Sequence, residues 1–137
     1  MIILSKINRQ EHEEANFILK KENIKDGLDG GIIYTLKDNG VIIGVGKIKL
    51  KFNYGILEYL IIKEEHRGAN LGDAILRTLL FKAEASGIEK IFYPYKNSYL
   101  MKKGFIDNKG EHMNSYELYL EVSEFFNKGC CGDRNEF

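Results

Sequence analysis

One stretch of the chain, residues 57–76, passes from an apolar run through a short glycine-containing segment to apolar residues at helical spacing. Residues 57–62 are apolar on both faces, which predicts a strand in the middle of a sheet. Glu58 is the exception within that run. After the segment Arg67–Gly72, apolar residues recur every three or four positions and predict one buried helix face. They are Leu71, Ile75, Leu76, Leu79, Leu80 and Ala83.

Upstream of this stretch, the pattern predicts a strand, a helix and an antiparallel meander. The first five residues are strand-like, and Asn8 with Glu11 has the spacing of a capping box at a helix start. Residues 32–36 and 41–52 predict two strands joined by Asn39-Gly40, a strong hairpin signal. Together with the central strand, they form a three-stranded meander.

The second strand of that hairpin carries two local signals. Lys47, Lys49 and Lys51 alternate with apolar residues, so its second half is expected to have one solvent-facing side. Gly44 and Gly46 lie on the opposite side. A glycine inside a strand indicates a bend or the close approach of another element.

Downstream of the predicted helix, Ser86-Gly87 ends it and residues 88–93 predict the next strand. A helix between two strands implies a crossover connection and parallel pairing. Asn97 is expected to cap a short helix that Gly104 terminates. A final strand pair is predicted over residues 105–107 and 115–122.

The length and composition fit one α/β domain of the α+β type, with a mixed, mostly antiparallel sheet flanked by helices. A chain of 137 residues can bury a substantial core. Its apolar fraction of 44% and charged fraction of 29% are typical of a globular domain. We expect a single domain over residues 1–123 and a C-terminal tail over residues 124–137.

Charge and cysteine content argue against several protein classes. The 20 basic and 20 acidic side chains cancel, which disfavours nucleic acid or an anionic membrane as the main partner. No apolar run has the length of a membrane span, and the N-terminus lacks a charged leader. Cys130 and Cys131 are adjacent and form no disulfide framework, so we expect a cytoplasmic protein. The three histidines lack metal-ligand spacing, and no metal site is predicted; His66 is expected on the loop surface.

The segment Arg67–Gly72 has the chemistry of an anion site. It places an arginine and two glycines at the start of a helix. Backbone N–H groups at a helix start lack intrahelical partners, and the helix dipole adds partial positive charge there. Phosphate is the usual anion at such a position.

The order of these elements resembles the GNAT (GCN5-related N-acetyltransferase) superfamily. The loop motif of that family is Gln/Arg-x-x-Gly-x-Gly/Ala. Arg67 and Gly72 match it, and Asn70 stands in place of the first glycine. Because Asn tolerates a left-handed backbone, we expect the loop to keep its shape. The segment Asn97–Phe105 is similar to the family's Asn-containing short helix that ends in Gly-Phe.

The resemblance implies binding of acetyl-CoA. In that family, the central strand and the strand after the motif helix splay apart, and the pantetheine arm lies in the gap. Here the backbone of Leu60, Ile61 and Ile62 would pair with the arm, and Asn97 would contact it near the reactive end. The pyrophosphate would lie on the loop. The implied loop residues are Arg67, Gly68, Ala69, Asn70, Leu71, Gly72 and Asp73.

Glu58 is the candidate general base. It is predicted to share a strand face with Ile56, Leu60 and Ile62, where burial tunes a carboxyl group for proton transfer. The family often uses a glutamate on this strand. The alternatives are an ion pair with a strand lysine such as Lys49, and contact with solvent at the splayed edge.

Tyr99 is the candidate acid for the leaving thiolate. Many family members have a tyrosine four residues before the glycine of Gly-Phe, but Leu100 stands at that position here. One residue rotates a helical side chain by about 100°. Tyr93 and Tyr95 are further phenols, and for all three the alternative is packing with a hydrogen-bonded hydroxyl. Solvent is the other proton source.

Together these features predict an N-acetyltransferase that moves an acetyl group from acetyl-CoA to a primary amine of a small molecule or peptide by direct attack. The alternative is a non-catalytic acyl-CoA-binding or sensing module of the same fold. A nucleotide-phosphate site is disfavoured because Gly-Lys-Ser/Thr does not follow the loop. The sequence does not identify the acceptor. Phe125-Phe126 is expected to pack on the chain itself or in a homodimer.

Overall fold

One sheet of seven strands carries the fold in the computed structural model, which describes residues 1–109 and 115–127. The strands lie in the order β1-β2-β3-β4-β5-β7-β6. Their bounds are β1 (Ile2–Lys6), β2 (Ile32–Asp38), β3 (Val41–Leu50), β4 (Gly55–Ile62), β5 (Lys90–Tyr93), β6 (Ile106–Asp107) and β7 (Leu118–Glu121). The helices are α1 (His12–Lys21), α2 (Leu71–Ala85) and α3 (Ser98–Lys102).

Two apolar cores lie on opposite faces of the sheet. The predicted stripe of α2 is buried on one face against β2, β3 and β4, together with Leu100 and Phe105. On the other face, α1 packs through Ala15, Ile18 and Leu19. The helix-sheet-helix layering of an α+β fold follows, because each face of the sheet needs an apolar cover.

The glycines of β3 let α2 approach the sheet closely, as the sequence predicted. A Cβ atom built on Gly46 would lie 2.7 Å from Cγ2 of Ile75 and 2.9 Å from Cδ1 of Leu79. A Cβ atom on Gly44 would lie 2.6 Å from Cδ1 of Ile62. Only glycine fits at these positions without moving its neighbours.

The parallel pairing of β4 with β5 is confirmed, and it is short. Gly55 pairs with Ile91 and Ile56 with Phe92. Beyond these two pairs, the described residues form no further ladder between the two strands. The strands therefore separate after Ile56, and a gap opens along the second half of β4.

A β-bulge interrupts β4 at Glu58. Lys47 of β3 pairs with Tyr59, whereas the next residue, Ile48, pairs with Leu57, so Glu58 has no partner in the register. A bulge puts two consecutive side chains opposite one residue of the partner strand and reverses the alternation that follows. The prediction that Glu58 shares a face with Leu60 and Ile62 is wrong for this reason.

The local signals read from the sequence are largely confirmed. Asn8 and Glu11 form both hydrogen bonds of the capping box, although the helix begins with a 3-10 turn before α1. Asn39 and Gly40 have φ of 52° and 87°, as a tight hairpin turn requires. The final strand is shorter than predicted, because β7 begins at Leu118.

The C-terminal segment begins with a helical turn over residues 122–127. Phe125 is buried in the α2-side core, and Arg77 lies 5.4 Å from its ring centre. Cys130 and Cys131 lie outside the described residues, so the division at residue 123 stays a prediction. In the described ranges, no helix has the length and apolarity to cross a membrane.

We predict that Gly46→Ala lowers the free energy of unfolding by about 1–3 kcal/mol, because the added methyl group overpacks the contact between α2 and β3. Equilibrium urea unfolding measures the change. Gly27→Ala is the matched control, since a Cβ atom there meets nothing within 4 Å. Equal stability of the two variants would contradict the close packing of α2.

Candidate functional site

A cavity of about 450 Å³ lies at the N-terminus of α2, where the sequence predicted an anion site. We call it the loop cavity. It is bounded by the C-terminal half of β4, the segment between β4 and α2, and one side chain of α3. Its lining residues are Leu60, Ile62, His66, Arg67, Gly68, Asn70, Leu71, Gly72 and Tyr99.

The backbone of this loop turns by means of two residues with positive φ. Gly68 has φ of 93° and Asn70 has φ of 59°, so Asn70 adopts the left-handed conformation that its place in the motif predicted. The Asn70 side chain makes no capping hydrogen bond at the start of α2. The first N–H groups of this 15-residue helix are thus left to a ligand or to solvent.

Arg67 is held by protein groups at the edge of this cavity. Its Nε donates a hydrogen bond of 2.7 Å to the carbonyl of Ile62, and its Nη2 lies 3.5 Å from Oε1 of Glu22. This salt bridge joins the loop to Glu22, the residue that directly follows α1. The guanidinium ties the end of β4 to the loop.

His66 lines the loop cavity, although the sequence pointed to a surface position. Its Nδ1 is buried and forms no hydrogen bond within the part of the chain described. A polar ring atom in that state is a group that a ligand can satisfy. Only its position directly before Arg67 could have indicated this in the sequence.

Tyr99 reaches the loop cavity from α3, whereas Leu100 is buried in the core. A Cβ atom on Gly72 would lie 3.2 Å from the Tyr99 hydroxyl, so the glycine makes room for the phenol. Partial burial, with the nearby Asp73 carboxylate, raises the pKa of Tyr99. The phenol stays protonated and can donate a hydrogen bond.

The remaining residues predicted to bind the cofactor lie around the cavity without lining it. The side chain of Ile61 packs in the α1-side core. Asn97 caps α3 by accepting a hydrogen bond of 3.0 Å from the N–H of Leu100. Ala69 is exposed, and Asp73 is bonded to Arg77 and Lys103.

A second cavity of about 320 Å³ lies where β4 and β5 separate, and Glu58 is in its wall. We call it the Glu58 cavity. Side chains from five segments meet there, which no local sequence pattern would indicate. Its lining residues are Asp26, Lys49, Lys51, Ile56, Glu58, Pro94, Tyr95 and Tyr116.

Lys47 is the ion-pair partner of Glu58, at 2.9 Å between Nζ and Oε1. An ion pair with a strand lysine was the alternative for Glu58, but the partner is Lys47 and not Lys49. Lys47 was expected on a solvent-facing side and is only 3% exposed. The bulge explains the pairing, because it turns Glu58 toward the face of Lys47. The loop before β2, whose carbonyls accept hydrogen bonds from Lys47, covers the lysine.

The ammonium group of Lys47 also fixes the loop that precedes β2. It donates hydrogen bonds to the carbonyls of Gly27 at 3.0 Å and Asp29 at 2.9 Å. The hydroxyl of Tyr59 donates to the same Gly27 carbonyl at 3.0 Å. These bonds hold Asp26 beside Glu58 in the wall of the Glu58 cavity.

Asp26 was not a candidate in the sequence analysis. Loss of hydration raises the pKa of its carboxyl group, and the charge and hydrogen bond of neighbouring Glu58 raise it further. Asp26 and Glu58 are therefore neighbours in the wall of this cavity.

The comparisons with known proteins agree with this geometry. The model of the acetyltransferase (GNAT) family matches residues 2–98, well over half of the chain. The protein belongs to the GNAT family. No curated protein matches it.

Solved structures show the same fold at low sequence identity. A GNAT acetyltransferase from Staphylococcus aureus Mu50 has a TM-score of 0.73 and 19% identity, over 89% of this chain and 99% of that one. A GNAT acetyltransferase from Elizabethkingia anophelis with acetyl-CoA bound has a TM-score of 0.67 and 21% identity, over 88% and 97%. The ribosomal-protein-S18-alanine N-acetyltransferase from Escherichia coli has a TM-score of 0.68 and 15% identity, over 89% of this chain and 94% of that one.

In this GNAT protein, the two cavities lie at successive positions along β4. Leu60 and Ile62 line the loop cavity, and Ile56 and Glu58 line the other. Between them, the edge of β4 that faces β5 has no strand partner among the described residues. An extended ligand that occupied this edge would connect the two cavities.

We predict that Lys47→Met lowers the free energy of unfolding by about 3 kcal/mol, since it leaves the Glu58 carboxylate largely buried without its partner. Thermal and urea unfolding measure this. Lys49→Met is the control, because Lys49 is exposed and makes no ion pair with a described residue. The double variant Lys47→Met/Glu58→Leu is expected to recover stability. If Lys47→Met were as stable as Lys49→Met, the structural role of the Lys47–Glu58 pair would be contradicted.

Asp73 gives a prediction for acid conditions. Partial burial raises the pKa of its carboxyl group, but hydrogen bonds from Lys103 and Arg77 outweigh this, and the pKa lies below the ordinary 3.8. A lowered pKa in the folded state stabilises the fold above the unfolded pKa, and this stabilisation is lost as the pH falls through the folded value.

Asp73→Asn is therefore expected to lower stability by roughly 0.5–1 kcal/mol at pH 7. At a second, acid pH below the lowered pKa of the folded state, the difference from the wild type should vanish, because the wild-type carboxyl is protonated there as well. Urea midpoints at the two pH values measure it. A difference that is the same at both pH values would show that the charge of Asp73 is not the cause.

Proposed function

We propose that the protein is an N-acetyltransferase that transfers the acetyl group of acetyl-CoA to a primary amine by direct attack, without a covalent enzyme intermediate. The observation that carries the proposal is the gap along β4, which leads from the uncapped N-terminus of α2 to the cavity that contains Glu58. The GNAT family and the acetyl-CoA bound in a structural neighbour support it.

The loop cavity fits the diphosphate of the co-substrate. Gly68 and Asn70 turn the backbone into α2, whose first N–H groups have no side-chain cap, and the helix adds its dipole. The proposed loop ligands are Arg67 to Asp73, as in the sequence analysis, with the Asp73 contribution made through its N–H. His66 joins them, because its buried Nδ1 is available to a phosphate oxygen.

Distance along β4 supports an elongated co-substrate. A strand rises about 3.3 Å per residue, so Ile62 at the loop cavity and Glu58 are about 13 Å apart. A ligand with phosphates at one end and its reacting group at the other must span that length. The backbone of Leu60, Ile61 and Ile62, at the edge of β4 that faces β5, and Asn97 are the proposed contacts of its pantetheine arm.

Glu58 is the proposed general base. Acetyl-CoA supplies the thioester whose acyl carbon the amine attacks. An amine must lose a proton to attack, and the Glu58 carboxylate is held at the open end of the strand gap by Lys47. The second oxygen of Glu58 is left to accept that proton, directly or through water.

Tyr99 is the proposed proton donor to the leaving thiolate. Its raised pKa keeps the phenol protonated at neutral pH. It lines the loop cavity, so it approaches the arm from the side of α2, opposite to the face on which Glu58 lies. Solvent remains the alternative donor.

The second candidate is a non-catalytic acyl-CoA-binding or sensing module. Two observations favour it. Lys47 already occupies one oxygen of Glu58, and Leu100 is buried where many relatives have a tyrosine. Binding of CoA without turnover distinguishes this candidate from the enzyme.

We predict that Glu58→Gln lowers kcat for acetyl-CoA turnover with amines by roughly 100-fold or more, because general base catalysis contributes that much. Affinity for CoA should remain unchanged, since Glu58 lies outside the loop cavity. Release of the CoA thiol across a panel of amines measures turnover, and calorimetry measures binding. Glu84→Gln on the exposed side of α2 is the matched control.

Each outcome of this experiment has a definite meaning. Full activity in Glu58→Gln would remove Glu58 from the mechanism. CoA binding with no turnover against any amine would favour the sensing module. Absence of both binding and turnover would overturn the proposed function.

A further inference from the structure

The charges in the wall of the Glu58 cavity are unequal. Asp26 and Glu58 contribute carboxylates, and Lys49 and Lys51 contribute ammonium groups. The buried ammonium group of Lys47 neutralises Glu58, with Nζ 2.9 Å from Oε1. The remaining wall charges are one carboxylate and two ammonium groups, so the cavity carries an excess of positive charge.

Asp26 is the acidic side chain of this wall that a cationic ligand can pair with. It makes no ion pair within 4.0 Å among the described residues, and its loop is fixed by the bonds from Lys47 and Tyr59 to the Gly27 carbonyl. Asp26 and Glu58 lie side by side at the wall. An ammonium group placed between them meets one partner that binds it and a second that takes its proton.

Lys49 and Lys51 lie on the β3 side of the same cavity. Both side chains are exposed, and neither has an ion-pair partner within 4.0 Å among the described residues. Lys49 and Asp26 line the same cavity. A ligand bound at Asp26 is therefore within the field of a lysine.

We propose that the Glu58 cavity is an acceptor subsite for a small zwitterionic amine, in which Asp26 binds the ammonium group and Lys49 with Lys51 binds a carboxylate of the same molecule. The inference rests on the proposed function. A polyamine would add positive charge to a wall that already has an excess of it. A carboxylate-bearing amine supplies the anion that the two lysines lack.

The size and lining of the cavity fit one small acceptor molecule. A volume of about 320 Å³ holds a single amino acid or a compound of similar size. Tyr95 and Tyr116 add aromatic walls, and Ile56 and Pro94 add apolar contact. A side chain of modest length fits beside the charged groups.

Matched acceptor pairs test this directly. Each pair is an amino acid and the same molecule without its carboxylate: alanine and ethylamine, phenylalanine and phenethylamine, lysine and cadaverine. We expect kcat/KM for acetylation to be at least about 10-fold higher for the carboxylate-bearing member of a pair, since a hydrogen bond to a charged group contributes enough for such a factor. Titration of each pair into the CoA-loaded protein measures acceptor binding separately from turnover.

Variants assign the effect to the named residues. Lys49→Gln/Lys51→Gln is expected to abolish the preference while turnover of the plain amines is retained. Asp26→Asn is expected to lower kcat/KM by 10-fold or more for both members of every pair, with CoA affinity unchanged. The control is Lys21→Gln/Lys82→Gln, two exposed lysines remote from the cavity, which should keep the preference.

The results separate this inference from the proposed function. Acetylation with an equal or greater rate for the decarboxylated members would overturn the zwitterion subsite and leave the acetyltransferase intact. Persistence of the preference in Lys49→Gln/Lys51→Gln would also overturn it. If no amine is acetylated, the binding titrations still decide, because equal affinity for both members of each pair rejects the subsite.

Discussion

The β-bulge at Glu58 is the constraint on which the site depends. In a regular strand, Glu58, Leu60 and Ile62 would point to one side of the sheet. The extra residue places Glu58 beside Tyr59 on the α1 side and returns Leu60 and Ile62 to the α2 side. One strand thereby presents apolar side chains to the loop cavity and a carboxylate to the second cavity. The separation of β4 from β5 opens the strand edge between the two.

The buried ammonium of Lys47 makes this arrangement stable. A lysine inside a sheet is tolerated only when its charge and donors are satisfied. Here a carboxylate and two backbone carbonyls surround it, and they come from β4 and from the loop before β2. The group that satisfies Glu58 therefore also positions Asp26. A change in Lys47 alters the core and the wall of the Glu58 cavity together, which is why stability and activity must be measured separately for this residue.

Much of the fold followed from the sequence, and the failures share a cause. The alternation of apolar residues, the capping box at Asn8, the Asn39-Gly40 turn and the left-handed Asn70 are local properties, and short segments determine them. The bulge depends on the register between β3 and β4, which no single strand encodes. The burial of Lys47, the salt bridge from Arg67 to Glu22 and the place of Asp26 all depend on contacts distant in sequence, so the sequence could not indicate them.

The contrast between locally determined features and long-range contacts explains why the sequence identifies the family but not the acceptor. The loop cavity is built mainly from backbone: two positive-φ residues, a helix start and a strand edge. Such a site leaves a short motif in one continuous segment, and Arg67 to Gly72 is that motif. The Glu58 cavity is built from side chains on the loop before β2, on β3, on β4, after β5 and before β7. Its chemistry changes with single substitutions at any of these places, because no backbone geometry needs to be preserved, and no short motif in the sequence records the charges around Asp26 and Lys49.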